Sequence, residues 1–176
     1  KNIIISESFT WLRNHYHTAL SHIKAEADNL FINGINCIYY HGICYAPENT
    51  AWPGWLFYAS TQANYRNSIF RDIPVLNKYI TRCQGELQSG RPYNDVLLYW
   101  PVYDLWMGDG SQELRFPVHH TGWIEGTDCG RAGHWMIRKG YTFDFISDDQ
   151  LEKTGFKQGS LITEGDLEYR TILLPA

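Results

Sequence analysis

Charged residues are scarce in this 176-residue chain: Asp, Glu, Lys and Arg make up 19% of it, against ~25% in an ordinary soluble domain. With 44% hydrophobic residues beside them, that scarcity argues against intrinsic disorder, which goes with high net charge and little apolar mass. Basic clusters are missing as well. The net charge is −4 and the pI near 5.9, so the chain lacks the positive stripe of a general nucleic-acid binder. Nowhere does an apolar run approach the ~20 residues of a membrane helix, and no secretory signal is visible.

Several chemical fingerprints are missing too. Cys37, Cys44, Cys83 and Cys129 are scattered, without a C-x-x-C pair or a paired-histidine spacing. That argues against zinc and reads as free, partly buried thiols, which leaves the compartment open. The glycines of 108–110 and 126–130 open neither a dinucleotide turn nor a phosphate loop, and no Gly-x-Ser-x-Gly elbow supports a serine hydrolase. His119 and His120 are adjacent, so on a strand they would face opposite ways; they read as loop residues. There is no internal repeat and no low-complexity tract.

Aromatic residues are abundant, at 8 Phe, 7 Trp and 12 Tyr, and apolar strands alternate with helices. Ile3-Ile4-Ile5 predicts a short buried strand running into Ser6-Glu7-Ser8. Leu20, Ile23, Ala27, Leu30 and Phe31 then repeat at helical spacing, with Gly34 placed to end the helix. Residues 35–40 predict a second strand, ending at His41-Gly42. A long irregular stretch, 43–71, follows; connections of that length are uncommon unless functional. Asp72 caps a helix whose apolar face is Leu76, Tyr79, Ile80, Cys83 and Leu87, ended by Gly90. Further strands are predicted at 95–100, 143–146 and 169–174, a short helix within 133–139, loop over 107–133 and mixed polar chain over 151–161. Buried strands separated by helices imply a parallel α/β sheet, and the break at 89–94 divides the chain in two.

Chemistry-bearing residues fall at strand ends. Glu7 follows the first strand and His41 the second, and parallel strands bring both to one rim, where a β/α barrel builds its active site. A carboxylate there can serve as general base or nucleophile on a sugar carbon; equally, Glu7 can be an N-terminal helix carboxylate held by the helix dipole. His41 can bond a ligand hydroxyl or a backbone carbonyl. Glu26 and Asp28 sit within the first helix and read as solvated or structural. In the long loop, Tyr45, Trp52, Trp55, Phe57 and Tyr58 crowd together, and such rings pack on the C–H face of a sugar. Phe57 and Tyr58 read as packing for the loop, Trp52 as a pocket wall.

The strings INCIYYHGICYAP (35–47), AWPGWLFYAS (51–60), RDIPVLNKYITRCQGELQSG (71–90) and NDVLLYWPVYDLW (94–106) resemble the α-L-rhamnosidases of glycoside hydrolase family 106. SESFTW (6–11) and GYTFDFISDDQL (140–151) fit as well. A more distant similarity to β-galactosidase-type enzymes suggests the layout: an α/β chain whose residues 1–92 are the last strand–helix units of a (β/α)8 barrel. Residues 93–176 would then begin a flavodoxin-like α/β domain. The resemblance implies that IIISE is the seventh barrel strand with Glu7 at its tip, and that Glu7 is the catalytic carboxylate of an inverting hydrolase. It also implies that His41, Tyr45 and Trp52 line the sugar subsite. Its expected substrate is terminal rhamnose on plant-type or complex glycans, and calcium is the expected cofactor. The general acid would come from an earlier strand, so this chain reads as part of a longer enzyme, inactive by itself; an extracellular or periplasmic place is favoured for the whole. A different glycosidase specificity, such as galactoside, or a non-catalytic carbohydrate-binding piece are the alternatives.

Overall fold

In a computed structural model of the protein, residues 3–12, 14–107 and 121–175 are described, so Gly108, Gly110, His119 and His120 lie outside the described residues. The chain forms two units, Lys1–Arg91 and Pro92–Ala176.

The first unit is built on two parallel strands, β1 (Ile5–Ser8) and β2 (Cys37–Tyr40), with helix α1 (Leu20–Ile32) between them. Ala19 has no side-chain acceptor to cap α1; its N–H instead donates to His22 Nδ1 at 3.2 Å. At the other end Gly34, with φ +93°, closes α1: Gly34 N donates to Phe31 O and Ile35 N to Leu30 O, the paired bonds of a left-handed glycine stop. After the long loop and a 3-10 turn (Ser68–Arg71), helix α2 (Ile73–Ser89) packs beside α1.

Strand side chains alternate faces, and the two faces of this sheet differ. Ile38 and Tyr40 pack with Phe9, Ile23, Ala27, Leu76 and Ile80 into the unit's core, so both helices lie on that side. Ile5, Glu7 and Tyr39 point the other way and are exposed. The expected burial of Ile3-Ile4-Ile5 is therefore not what the structure shows: Ile3 is 57% and Ile5 58% exposed, because both helices cover the opposite face. Pairing also begins two residues late, at Ile5.

The outer edge of β2 has side chains instead of a strand. Along α2, the apolar row Ile73, Leu76, Ile80 turns polar at Gln84 and Gln88. Gln84 Oε1 accepts from Ile38 N at 2.8 Å, and Gln88 Nε2 donates to Asn36 O at 2.6 Å.

In the second unit, β3 (Val96–Tyr99) is the centre of a parallel sheet in the order β4-β3-β8, with β4 at Phe143–Ile146 and β8 at Thr171–Leu173. Among the described residues, two short helices follow β3, α3 (Val102–Met107) and α4 (Gly122–Glu125), before α5 (Asp128–Arg138) crosses over. Gly133 lets α5 come close, since a Cβ there would lie 3.1 Å from the Phe143 ring and 3.5 Å from Leu98. A second core gathers Leu97, Ile146 and Tyr169 with Leu151, Leu161 and Leu167.

Beyond β4 come α6 (Asp148–Glu152) and an antiparallel sheet of β5 (Gly155–Lys157), β6 (Ser160–Ile162) and β7 (Glu168–Tyr169). Antiparallel pairing is thus present where only mixed polar chain is expected. Tyrosine hydroxyls bind carboxylates repeatedly here: Tyr169 to Asp144 and Tyr99 to Asp148, each at 2.7 Å, and Tyr103 to Asp149 at 2.9 Å. All four cysteines are free; Cys129 is buried, and burial pushes its thiol pKa up.

Candidate functional site

The tips of β1 and β2 meet at a backbone bond, His41 N to Ser8 O at 2.8 Å. Phe9 holds the tip from below. It is a buried residue with φ +70°, a conformation that costs a side-chain-bearing residue roughly 1–2 kcal/mol. Its ring nonetheless sits in the core, 4.8 Å from Tyr40 and 5.8 Å from Trp11. Burial of that ring offsets the strain and turns the chain sharply away after the strand. The carboxylate of Glu7 is left on the helix-free face near the C-terminal end of β1. Pairing is residue for residue, with Glu7 beside Tyr39 and Ile5 beside Cys37.

His41 is fixed by its surroundings. Its Nδ1 lies 3.2 Å from Ala59 O, and a carbonyl only accepts, so the proton of this bond is on Nδ1 and a neutral ring presents Nε2 as an acceptor. Phe57 packs edge-on to it at 5.0 Å. Of the two rings expected to pack the loop, Phe57 does so against His41, whereas Tyr58 touches Phe57 and is 68% exposed.

The long loop is ordered by polar groups rather than by an apolar core. Ser60 Oγ both donates to Gly42 O at 2.7 Å and accepts from Gly42 N at 3.1 Å, tying the loop to the end of β2. Gly42 has to be glycine, because a Cβ would sit 2.6 Å from Tyr40 O. Thr61, Gln62 and Asn67 are buried, with Asn67 Nδ2 donating to Gln62 O at 3.0 Å and Gln62 Nε2 to Phe57 O at 2.8 Å.

Arg66 organises the segment that carries Trp52. Its guanidinium donates to Thr50 O at 2.8 Å and to Ala51 O at 3.2 Å, and it packs against Gly54, whose φ is +85°. Trp52 Nε1 donates back to Arg66 O at 3.4 Å, and its ring lies 5.5 Å from that of Tyr16, whose hydroxyl donates to Pro53 O at 3.0 Å. Trp52 precedes a cis proline and still exposes 69% of its surface. Such a ring is held from behind and open in front. Tyr45 is 80% exposed. Glu7 and His41 are thus brought to adjoining strand tips; among the described residues, no hydrogen bond or ring contact joins Tyr45 or Trp52 to Glu7.

Sequence reasoning passed over Tyr39 and Arg66. For Tyr39 the signal was available in the period of two that links it to Cys37 and His41. Two surface depressions lie elsewhere. One of about 470 Å³ runs along α2 past Pro74, Lys78 and Arg82, and one of about 210 Å³ lies in the second unit under Leu97 and Tyr169. Among the described residues no three His, Cys, Asp or Glu side chains come together to hold a metal ion. Nor is any described helix long and apolar enough to cross a membrane.

Comparison with known proteins extends this geometry. Over 175 residues the chain is 25% identical to a protein of Formosa agariphila named "Putative beta-glucuronidase", covering 99% of this chain and 13% of that protein. In fold it matches a solved rhamnosidase structure from Novosphingobium sp. PP1Y with a TM-score of 0.61 and 18% identity, covering 99% of this chain and 15% of the other. The chain therefore spans about one seventh of the relatives it matches. The family model for alpha-L-rhamnosidase, glycoside hydrolase family 106, matches residues 1–110. A match over more than half of the chain settles its membership: it belongs to the alpha-L-rhamnosidase family, glycoside hydrolase family 106.

Proposed function

We propose that this chain contributes the general base and part of the sugar subsite to a larger inverting α-L-rhamnosidase that removes terminal rhamnose from plant-type or complex glycans. The observation that carries the reading is the placement of Glu7: near the C-terminal end of a parallel strand, on the face that both helices leave bare. In a β/α barrel the helices are outside, and the C-terminal strand ends carry the chemistry. On this reading the first unit is the closing strand–helix section of a (β/α)8 barrel, with Ile5, Cys37 and Tyr39 facing its interior, and the second unit begins a flavodoxin-like domain.

Inversion needs two carboxyl groups ~6.5–9.5 Å apart with a water between base and anomeric carbon. Glu7 takes the proton of that water as it attacks, and an acid from an earlier strand protonates the departing oxygen. His41 presents Nε2 to a sugar hydroxyl, while Trp52 and Tyr45 cover the apolar face of the ring.

The test is an aryl-glycoside screen of the longer protein, with and without a chelator, together with Glu7→Gln. Expected are turnover of an aryl α-L-rhamnoside with inverted product, a loss of about 10²–10⁴-fold in kcat for Glu7→Gln, and no activity of residues 1–176 alone. Near-normal turnover by Glu7→Gln, or turnover by the short chain, overturns the assignment. A second reading, the same scaffold with another sugar specificity, is favoured by the relative named for β-glucuronide cleavage; turnover of an aryl β-glucuronide but not the rhamnoside would establish it.

A further inference from the structure

We infer that Ser60 is a positioning residue for His41: its hydroxyl closes the chain around the imidazole, so that Nε2 meets the sugar as an acceptor. The inference rests on the reading of His41 as the partner of a sugar hydroxyl.

A closed circuit of contacts carries it. The backbone of His41 is held by its own N–H on Ser8 O at 2.8 Å, which leaves the turn of the ring to be decided. Nδ1 lies 3.2 Å from Ala59 O, and Ala59 is the neighbour of Ser60 in the chain. The Ser60 hydroxyl reaches back to the residue after His41, donating to Gly42 O at 2.7 Å and accepting from Gly42 N at 3.1 Å. Imidazole, carbonyl, hydroxyl and peptide thus form one ring, and His41 and Ala59 cannot part without breaking a bond.

The same hydroxyl accepts from Gln62 N at 3.0 Å. A serine hydroxyl has one proton and two lone pairs, and backbone groups take all three. Gln62 is fully buried and keeps a left-handed backbone, φ +53°, which a residue with a side chain holds only where its surroundings enforce it. Its Nε2 donates to Phe57 O at 2.8 Å, and the Phe57 ring stands edge-on to His41 at 5.0 Å. Ser60 therefore holds both neighbours of the imidazole, the carbonyl directly and the phenyl ring through Gln62.

The chemical consequence is one of direction. A neutral imidazole has one donor and one acceptor nitrogen. With the proton tied to Ala59 O, Nε2 accepts from a sugar hydroxyl at a fixed place. Without the clamp the ring turns and the bond loses its direction. Such a contact is made to bound sugar and transition state alike, so its loss acts on affinity more than on kcat.

The experiment is inhibition of the longer protein by L-rhamnose and by derivatives each lacking one further hydroxyl, in Ser60→Ala, His41→Phe and the double variant. One derivative should bind the unaltered enzyme about tenfold more weakly than L-rhamnose. In Ser60→Ala and in His41→Phe that difference should shrink to about twofold for the same derivative, and the double variant should add little to either. Turnover of an aryl α-L-rhamnoside by Ser60→Ala should stay within about threefold in kcat. A difference abolished by His41→Phe but intact in Ser60→Ala refutes the inference and leaves the His41 reading standing. A difference that survives His41→Phe, or no inhibition by L-rhamnose at all, removes both. Equal weakening of every sugar in Ser60→Ala would give Ser60 a general part in holding the loop and overturns the inference. Should Ser60→Ala fold poorly, Ser60→Thr and Ser60→Val, alike in shape, isolate the hydroxyl: the threonine variant must keep the difference and the valine variant lose it, and equal behaviour of the two overturns the inference.

Discussion

Gly54→Ala tests how the Trp52 segment is held. Two costs add at this position. The backbone has φ +85°, which costs an L-residue with a Cβ roughly 1–2 kcal/mol. The new Cβ would also stand 3.1 Å from Ala46 Cβ, 3.2 Å from Arg66 Nη1 and 3.3 Å from Arg66 Cδ. Ala46 is fixed by the backbone, so the guanidinium gives way and its bonds to Thr50 O and Ala51 O lengthen. A bond from a charged donor is worth about 1.5–3 kcal/mol, so losing part of it brings the total to roughly 2–4 kcal/mol of local stability. At tenfold per 1.4 kcal/mol that is a fall of about 30- to 1000-fold in hydrogen-exchange protection. The amide of Gly54, bonded to Ala51 O at 2.8 Å, reports it directly. Amides of α1 and α2 should be unaffected, because the core of Ile23, Ala27, Leu76 and Ile80 does not include the loop. Gly34→Ala is the control: its φ is +93° but nothing lies within 4 Å of the new Cβ, so it shows strain without crowding and acts on the end of α1. Unchanged protection at Gly54, or equal effects of Gly54→Ala and Gly34→Ala on the loop, would refute the role given to Arg66.

Other outcomes follow from the first unit. Ile23, fully buried against the sheet, should cost about 2–5 kcal/mol when cut to alanine, read as lost exchange protection throughout α1 and α2; loss confined to α1 would mean that the core is not shared. Burial pushes the Tyr40 phenol up from 10.0 to about 12. A raised folded-state pKa gives stability that is complete below pH 10 and is lost as pH rises through about 12. The urea midpoint should therefore fall over that window, and fall less steeply in Tyr40→Phe; parallel curves would show that Tyr40 does not contribute.

The sequence made some of this legible and hid the rest for identifiable reasons. Phe143, Phe145 and Ile146 are interrupted only by Asp144, and 143–146 is a strand as expected; the helix faces around Ile23 and Ile80 follow from 3- and 4-residue spacing. The hairpin at 155–162 is built from three-residue strands, too short for any periodicity to register, although Gln158 and Gly159, both with positive φ, form a turn of the kind hairpins need. Glu7 and His41 could be picked out because strand ends are readable. Tyr39 was only half legible: the period of two links it to Cys37 and His41, but which face of the sheet the helices leave bare is not written in that pattern. The anchors of the long loop, Ser60, Gln62, Asn67 and Arg66, bind backbone groups up to 19 residues away, and no local pattern encodes such partners.

The glutamines on α2 have a consequence for assembly. With Gln84 on Ile38 N and Gln88 on Asn36 O, the rim of β2 is stoppered by its own helix. A stray strand from another copy would have to evict both side chains to gain a foothold, which guards the edge while the chain is young. A strand that belongs there can offer a whole ladder in exchange for two bonds. The helix thus works as a removable cork, favouring a long, in-register partner over a short, accidental one.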